Sequence, residues 1–195
     1  AELPGMRAQV NEALAEAGLR YGLGVKVRHP LDIIVNDIGV ATVVRKAKRR
    51  LDGLKIAPYY GCQIVRPGPT FDDPNWPTSM DDLFTSLGAE CVYFPDRVRC
   101  CGGMLMTTEP EVGRDLTRKV LDCARRNGAD AIATTCPLCQ VNLEMVEAGR
   151  DGERPLAIAV FTQILGLALG FSPQEMDLDR GLVPIGERLA ALAEA

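Results

Sequence analysis

Five of the seven cysteines in this chain fall into three groups, and their spacing limits what it can fold into. Cys62 stands alone, Cys100 and Cys101 follow side by side after thirty-seven intervening residues, and Cys136 and Cys139 flank Pro137 and Leu138 after thirty-four more. Each group follows a short apolar run of strand character: Lys55 to Tyr59, Cys91 to Phe94, and Ala131 to Thr134. Parallel strands joined by helices deliver their carboxyl ends to one edge of a sheet, and ligands bind outside that edge. The spacing therefore predicts that the five thiols meet there.

At 195 residues, 47% of them hydrophobic, the chain is one domain of ordinary size, or one and a fraction, with enough apolar material for a real core. The 22 Lys and Arg against 26 Asp and Glu leave a net charge of −4, so no basic field points to nucleic acid. The longest apolar candidate, Leu156 to Leu169, is broken by Gln163 and Gly166 and falls short of the roughly 18 to 20 residues a membrane helix needs. We therefore expect no membrane span. The first residues, Ala1-Glu2-Leu3, carry neither a basic start nor an apolar signal core, which predicts a cytoplasmic protein; the missing initiator Met suggests a fragment or a processed subunit. In that compartment an odd number of cysteines reads as metal ligands or redox groups rather than a disulfide framework.

Taken in order, residues 1–19 predict a helix ending near Gly18, followed by an extended piece from Tyr21 to Arg28. Pro30 opens a second helix with Ile33, Ile34, Ile38 and Val44 as its apolar set, ending in the basic cluster Arg45, Lys46, Lys48, Arg49 and Arg50, which reads as a solvated outer face rather than a docking site. His29, the single histidine, precedes a proline at that helix start and reads as a local hydrogen-bonding residue, not a catalyst. Residues 66–79 form a proline-rich loop whose Arg66, Phe71 and Trp76 favour contact with a substrate or partner. Ser79 with Asp82 suggests a helix start, Glu90 to Phe94 a strand, and Glu111 to Asn127 a long helix burying Val112, Leu116, Val120 and Cys123. Pro137 begins another helix, Leu156 to Leu169 reads as an apolar helix, and an irregular tail with a short terminal helix follows. Strands alternating with helices predict an α/β fold with a small, mainly parallel sheet flanked by helices. The expected organisation is a helical lead-in over 1–50, a cysteine-rich cluster-binding domain over 51–150, and C-terminal helices over 151–195 packing on it.

Thiolates are soft ligands suited to iron–sulfur clusters and zinc, and Cys-x-x-Cys presents two sulfurs from one turn. Here Cys136 and Cys139 open a helix, where unpaired N–H groups favour negative sulfur. Adjacent cysteines are the sharper signal: neighbouring side chains on a strand point to opposite faces, so Cys100 and Cys101 can serve one centre only from an irregular turn, which Gly102-Gly103 would allow. Four ligands close a structural zinc site, whereas a multi-iron centre can use a fifth, so the count favours iron. A structural zinc module, and thiol–disulfide exchange through Cys136 and Cys139, remain open at this point. Cys91 and Cys123 read as small hydrophobes.

The array Cys62, Cys100-Cys101-Gly102-Gly103, Cys136-Pro137-Leu138-Cys139, with Ala57-Pro58-Tyr59-Tyr60-Gly61 before it, Arg66-Pro67 after Cys62, Phe71-Asp72-Asp73-Pro74 through Pro77-Thr78-Ser79-Met80, and Gly128-Ala129-Asp130, resembles the second cysteine-rich CCG domain of the heterodisulfide reductase B subunit. The resemblance covers about residues 20–150. It implies a noncubane [4Fe-4S] cluster bound by Cys62, Cys100, Cys101, Cys136 and Cys139, and reductive cleavage of a disulfide between two such clusters, each giving one electron; the family's thiol products are coenzyme M and coenzyme B. It implies as partners a second CCG domain in the same or another chain, a ferredoxin-like [4Fe-4S] subunit, and a flavin subunit. Because this chain holds one array, the other half of the substrate site must come from elsewhere. Related CCG proteins serve succinate, lactate or glycolate, and sulfur oxidation, so the motif fixes the cofactor better than the substrate. The expectation is thus an oxidoreductase component acting on a sulfur group, with electron-transfer duty in another dehydrogenase complex as the alternative.

Overall fold

The computed structural model describes residues 3–66, 71–150, 155–186 and 189–191. Four parallel strands form its sheet: β1 (Lys55–Tyr59), β2 (Glu90–Cys91), β3 (Ala131–Thr134) and β4 (Ala157–Val160), in the order β2-β1-β3-β4. Register follows from Ile56 opposite both Cys91 and Ala131, and from Ala131 opposite Ala157. Parallel strands need crossover segments, and those segments cover both faces of the sheet. The helices are α1 (Pro4–Ala15), α2 (Pro30–Asp32), α3 (Val40–Lys46), α4 (Ser79–Ser86), α5 (Pro110–Arg126), α6 (Pro137–Ala148) and α7 (Phe161–Ala168).

Strand alternation splits the core in two. Ile56, Ala131, Ala133, Ala157 and Ala159 face one side with Leu83 and Phe84 of α4 and Ile164 and Leu167 of α7. Ala57, Tyr59, Ile132 and Ile158 face the other with Val120 and Leu121 of α5 and Leu143 of α6. This is the expected α/β fold with a small parallel sheet flanked by helices.

Several local expectations give way. Leu156 to Leu169 is not one helix: its first half pairs with β3 as β4, and only from Phe161 does the chain turn helical. A short unbroken apolar run has no period that separates buried strand from buried helix, and here the open edge of β3 decides. The second strand ends at Cys91 instead of Phe94, although the Val92 amide still bonds the Ile56 carbonyl at 2.9 Å. The second helix contains a π-helical stretch over Ile33–Gly39. The wider turn rotates the side chains, so Ile33 and Ile38 are exposed while Leu31 and Val43 are buried. On α5, Val112 is exposed and the buried stripe runs through Gly113, Thr117, Val120, Leu121, Cys123 and Ala124.

The α4 start is also built differently. Ser79 does not cap it; the loop residue Asp72 reaches over to accept from the Ser79 and Thr78 amides, and the Tyr60 hydroxyl accepts from Met80 at 2.8 Å. The basic cluster behaves as expected of a surface: Arg49 donates to the Phe171 carbonyl and Arg50 pairs with Asp52. Of the first predicted helix, Pro4–Ala15 form α1, which buries none of its described side chains, and the terminal-helix expectation falls partly outside the described residues.

Candidate cysteine centre

Beyond β1 the chain turns sharply at Gly61, with φ of +66°, and the Tyr60 and Gly61 amides both donate to the Arg97 carbonyl at 2.9 and 3.0 Å. That carbonyl belongs to the loop after β2, so the first two cysteine-bearing loops are stitched together. The loop after β3 joins them: the Thr135 hydroxyl donates to the Tyr60 carbonyl at 2.8 Å and the Thr135 amide to the Tyr59 carbonyl at 3.3 Å. A side chain added at Gly61 would meet the Cys139 sulfur at 3.4 Å, which shows how closely this backbone passes the thiols.

All five predicted cysteines lie at this edge. Cys62 hydrogen-bonds Cys100, Cys101 bonds Cys139, and Cys139 bonds Cys136. Cys101 and Cys139 are buried, Cys62 and Cys136 half-buried, and Cys100 exposed, so the group is dry on one side and open on the other. The adjacent pair faces one centre because the turn is irregular. Gly102 has φ of +79°, and a short 3-10 turn over Gly103–Leu105 follows. A side chain on Gly102 would stand 2.7 Å from the Gly113 carbonyl on α5, so both the left-handed backbone and the close approach require glycine. In this turn the Gly102 amide donates to the Cys100 sulfur at 3.3 Å and the Gly103 amide to the Cys101 sulfur at 3.4 Å. Cys136 caps α6 with Pro137 at its first position, which puts Cys139 in the first helical turn where backbone amides are unpaired.

The electrostatics of the group are those of crowded sulfur. The hydrogen bond from Cys139, helped by those of the Gly103 amide and Asn142, holds Cys101 below the ordinary thiol range against the effect of its burial. The same Cys101 contact, then burial, pushes Cys139 far up, and burial followed by the neighbouring Cys100 raises Cys62. Like charges this close cannot all ionise unless a cation sits among them. Five thiolates here would require one, and metal binding would release their protons. Among the described residues no three or more His, Cys, Asp or Glu side chains are arranged about a point that could hold a single ion. The thiol contacts run as a pair, Cys62 to Cys100, and a chain of three, Cys136 through Cys139 to Cys101.

Tyr59 forms the floor. It is fully buried, packs edge-on against Phe94 with ring centroids 6.1 Å apart, and donates its hydroxyl to the Arg99 carbonyl at 2.6 Å. Burial, followed by the charges of Cys139, Cys101, Cys100 and Cys62, drives its pKa well above the usual phenol value, so it stays neutral. Sequence reasoning missed two residues behind Cys101. Thr117 on α5 and Asn142 on α6, both buried, bond the Cys101 carbonyl at 2.7 Å each. A signal existed for the second: Asn142 lies three residues past Cys139, on the same helix face.

The remaining candidates separate cleanly. His29 accepts from the Leu31 amide at Nδ1, so Nε2 carries the proton toward the Thr135 carbonyl 3.2 Å away; burial lowers its pKa. It is a hydrogen-bonding strut, as expected. The Cys91 sulfur lies 3.7 Å from the Asp81 carbonyl, with its pKa pushed up to about 11 by burial, and Cys123 is buried on α5 beside Asp96. In the proline-rich loop, residues 67–70 lie outside the described residues. Trp76 covers the Arg97 guanidinium at 4.1 Å, and the buried Arg97 donates to the Pro77 carbonyl at 2.7 Å. A cavity of about 960 Å³ opens beside Cys136, lined by Lys26, His29, Arg66, Phe71 and Thr135 among others.

Comparison with known proteins agrees with this geometry. Residues 56–144 match the family model of the CCG cysteine-rich domain. The chain is 29% identical over 201 residues to the ferredoxin/F420H2-dependent CoB-CoM heterodisulfide reductase B subunit of Methanosarcina acetivorans, covering 98% of this chain and 66% of the relative. It is 31% identical over 183 residues to a protein of Archaeoglobus profundus named for its likeness to the heterodisulfide reductase B subunit, covering 89% and 61%. It is 28% identical over 186 residues to the 8-methylmenaquinol:fumarate reductase membrane anchor subunit of Wolinella succinogenes, covering 92% and 64%. The chain thus spans just under two thirds of the length of these curated relatives. A crystal structure of a hypothetical protein from Helicobacter pylori shares the fold, with a TM-score of 0.64 at 15% identity, covering 93% of this chain and 34% of that one.

Proposed function

The chain belongs to the cysteine-rich CCG family, among the relatives of the heterodisulfide reductase B subunit, and from that membership we propose that it is the iron–sulfur subunit, or the C-terminal half of one, of a heterodisulfide reductase-like complex. Cys62, Cys100, Cys101, Cys136 and Cys139 would hold a noncubane [4Fe-4S] cluster. When bound, that cofactor supplies one-electron steps for reducing a disulfide to two thiols, or for the reverse oxidation. The observation that carries this reading is the meeting of five thiols from three distant loops at the carboxyl edge of a parallel sheet.

The chain's own groups fit the role. The Gly102 and Gly103 amides and the start of α6 stabilise negative sulfur, Tyr59 excludes water from below, and the exposed Cys100 leaves one side open for a substrate or a second CCG domain. Lys26 and Arg66 give the cavity beside Cys136 a cationic lining suited to an anionic disulfide. Five convergent thiols exceed the four ligands that close a tetrahedral zinc site, which favours a multi-atom centre. The complex would supply electrons through a ferredoxin-like [4Fe-4S] subunit, with a flavin subunit upstream of it. No helix among the described residues is long and apolar enough to cross a membrane, and we place the protein in the cytoplasm.

Anaerobic purification with iron and sulfide analysis and electron paramagnetic resonance tests the centre. A brown protein with equimolar iron and sulfide supports it; a colourless zinc protein of full stability overturns it. Disulfide-linked oxidation of a reduced dye by the assembled complex tests the reaction. The relative named as a fumarate reductase subunit favours one second reading, electron transfer within a dehydrogenase of another substrate. That reading predicts a loaded centre with no disulfide turnover.

A further inference from the structure

Behind the buried Cys101 lies a polar group that the cluster reading does not use. Thr117 is 0% exposed and Asn142 3% exposed, in the middle of the apolar packing between α5 and α6. Burying two uncharged polar side chains here is costly unless their hydrogen bonds are met, and the target they share is the Cys101 carbonyl. The Asn142 amide nitrogen donates to the Cys101 carbonyl at 2.7 Å and to the Thr117 hydroxyl at 2.8 Å. The Thr117 hydroxyl lies 2.7 Å from the same Cys101 carbonyl and 3.0 Å from the Gly113 carbonyl. Gly113 is the residue against which Gly102 is pressed.

Two helices therefore grip the cysteine pair from behind through one carbonyl. Asn142 sits on the same face of α6 as Cys139, one turn on, so the residue that fixes Cys101 rides with the helix that delivers the sulfur bonded to it. The amide orientation is determined: rotated half a turn, its oxygen would face the Cys101 carbonyl, acceptor against acceptor.

We propose that Asn142 and Thr117 are positioning residues that lock the Cys100-Cys101-Gly102 turn to α5 and α6, holding the Cys101 sulfur at a fixed distance from Cys139 and setting the electronic environment of whatever the thiols bind. The second half of this proposal rests on the cluster reading above; the first half does not. Outer hydrogen bonds orient ligands and tune metal centres, and a buried pair whose shared target is the Cys101 carbonyl has that effect as its consequence.

The experiment compares wild type with Thr117→Val, Thr117→Ser and Asn142→Leu in the full chain. Amide hydrogen exchange in the metal-free protein reads the lock directly. Peptides covering residues 100–105 exchange about tenfold faster in Thr117→Val and Asn142→Leu, Thr117→Ser restores protection, and peptides from β1 and β3 are unchanged. In the iron-loaded protein, the same two variants shift the resonance signal and midpoint potential while keeping iron content, and Thr117→Ser matches wild type. Unchanged exchange over 100–105 in both variants overturns the lock, and an unchanged potential overturns the tuning. Faster exchange that spreads to β1 and β3 also overturns it, since the pair would then hold the core and not the turn. A wild-type chain that takes up no iron removes the cluster reading instead, and the exchange comparison still decides the lock.

Discussion

At the scale of single residues, the cysteines divide by what surrounds them and not by type. Cys101→Ser is expected to lose most of the bound iron, while Cys91→Ala and Cys123→Ala keep it, because those two thiols bond elsewhere or sit in apolar packing; metal analysis of the three variants checks this. Gly102→Ala combines a strained left-handed backbone, roughly 1–3 kcal/mol, with a 2.7 Å clash against the Gly113 carbonyl. Chemical denaturation should show at least that loss, together with failure to load the centre. Arg28 pairs with Asp32 at 2.7 Å and with Asp37 at 2.6 Å, and holds the Asp32 carboxyl down to about 2, with Asn36 assisting. A carboxyl depressed in the fold contributes stability above its unfolded pKa of 3.8, and that contribution is lost as pH falls from there toward about 2. Carboxyl NMR should therefore find Asp32 ionised at pH 3 in wild type and largely protonated there in Arg28→Gln. Residue identity was highly legible for the thiols, whose chemistry is specific. It was poorly legible for Thr117 and Asn142, whose role appears only when two helices converge on one carbonyl.

At the scale of elements, what the sequence hid was context. The run from Leu156 becomes a strand because β3 offers it an unpaired edge, and no periodicity within the run carries that fact. The π-helical turn over Ile33–Gly39 likewise rotates a stripe that an ideal helix places correctly on paper. The helix α4 starts at Ser79 as expected, but its cap comes from far away, its first amides being satisfied by Asp72 and Tyr60. Tyr60 is the stronger case: buried, it accepts from the Met80 and Asp81 amides and donates to the Asp81 carboxylate at 2.6 Å. Tyr60→Phe leaves the buried Met80 amide unsatisfied, a loss of about 1–3 kcal/mol. Its signature would be a lowered denaturation midpoint with local exchange at α4; an unchanged midpoint would show that water replaces the hydroxyl.

At the scale of the whole molecule, the alternation of strand and helix gave the α/β architecture in advance, because parallel pairing leaves few ways to bury both faces of a sheet. One face of that sheet is closed by α7, with Ile164 and Leu167 packed on Ala131, Ala133, Ala157 and Ala159. A chain ending at residue 150 would lack β4 and α7 together, and we expect it to lose cooperative unfolding and bind a hydrophobic dye; a sharp thermal transition in that fragment would show that the first three strands suffice. The stitched loops have a further consequence, for birth rather than for turnover. While the protein emerges from the ribosome, Cys62 and the adjacent pair are out well before Cys139, and although β1, β2 and the Arg97 carbonyl can join their two loops, the third group arrives only when β3 has docked beside β1. A metal centre held by all five thiols, as proposed, would load only onto a nearly finished edge, and a nascent chain would be spared from capturing iron in the wrong stoichiometry.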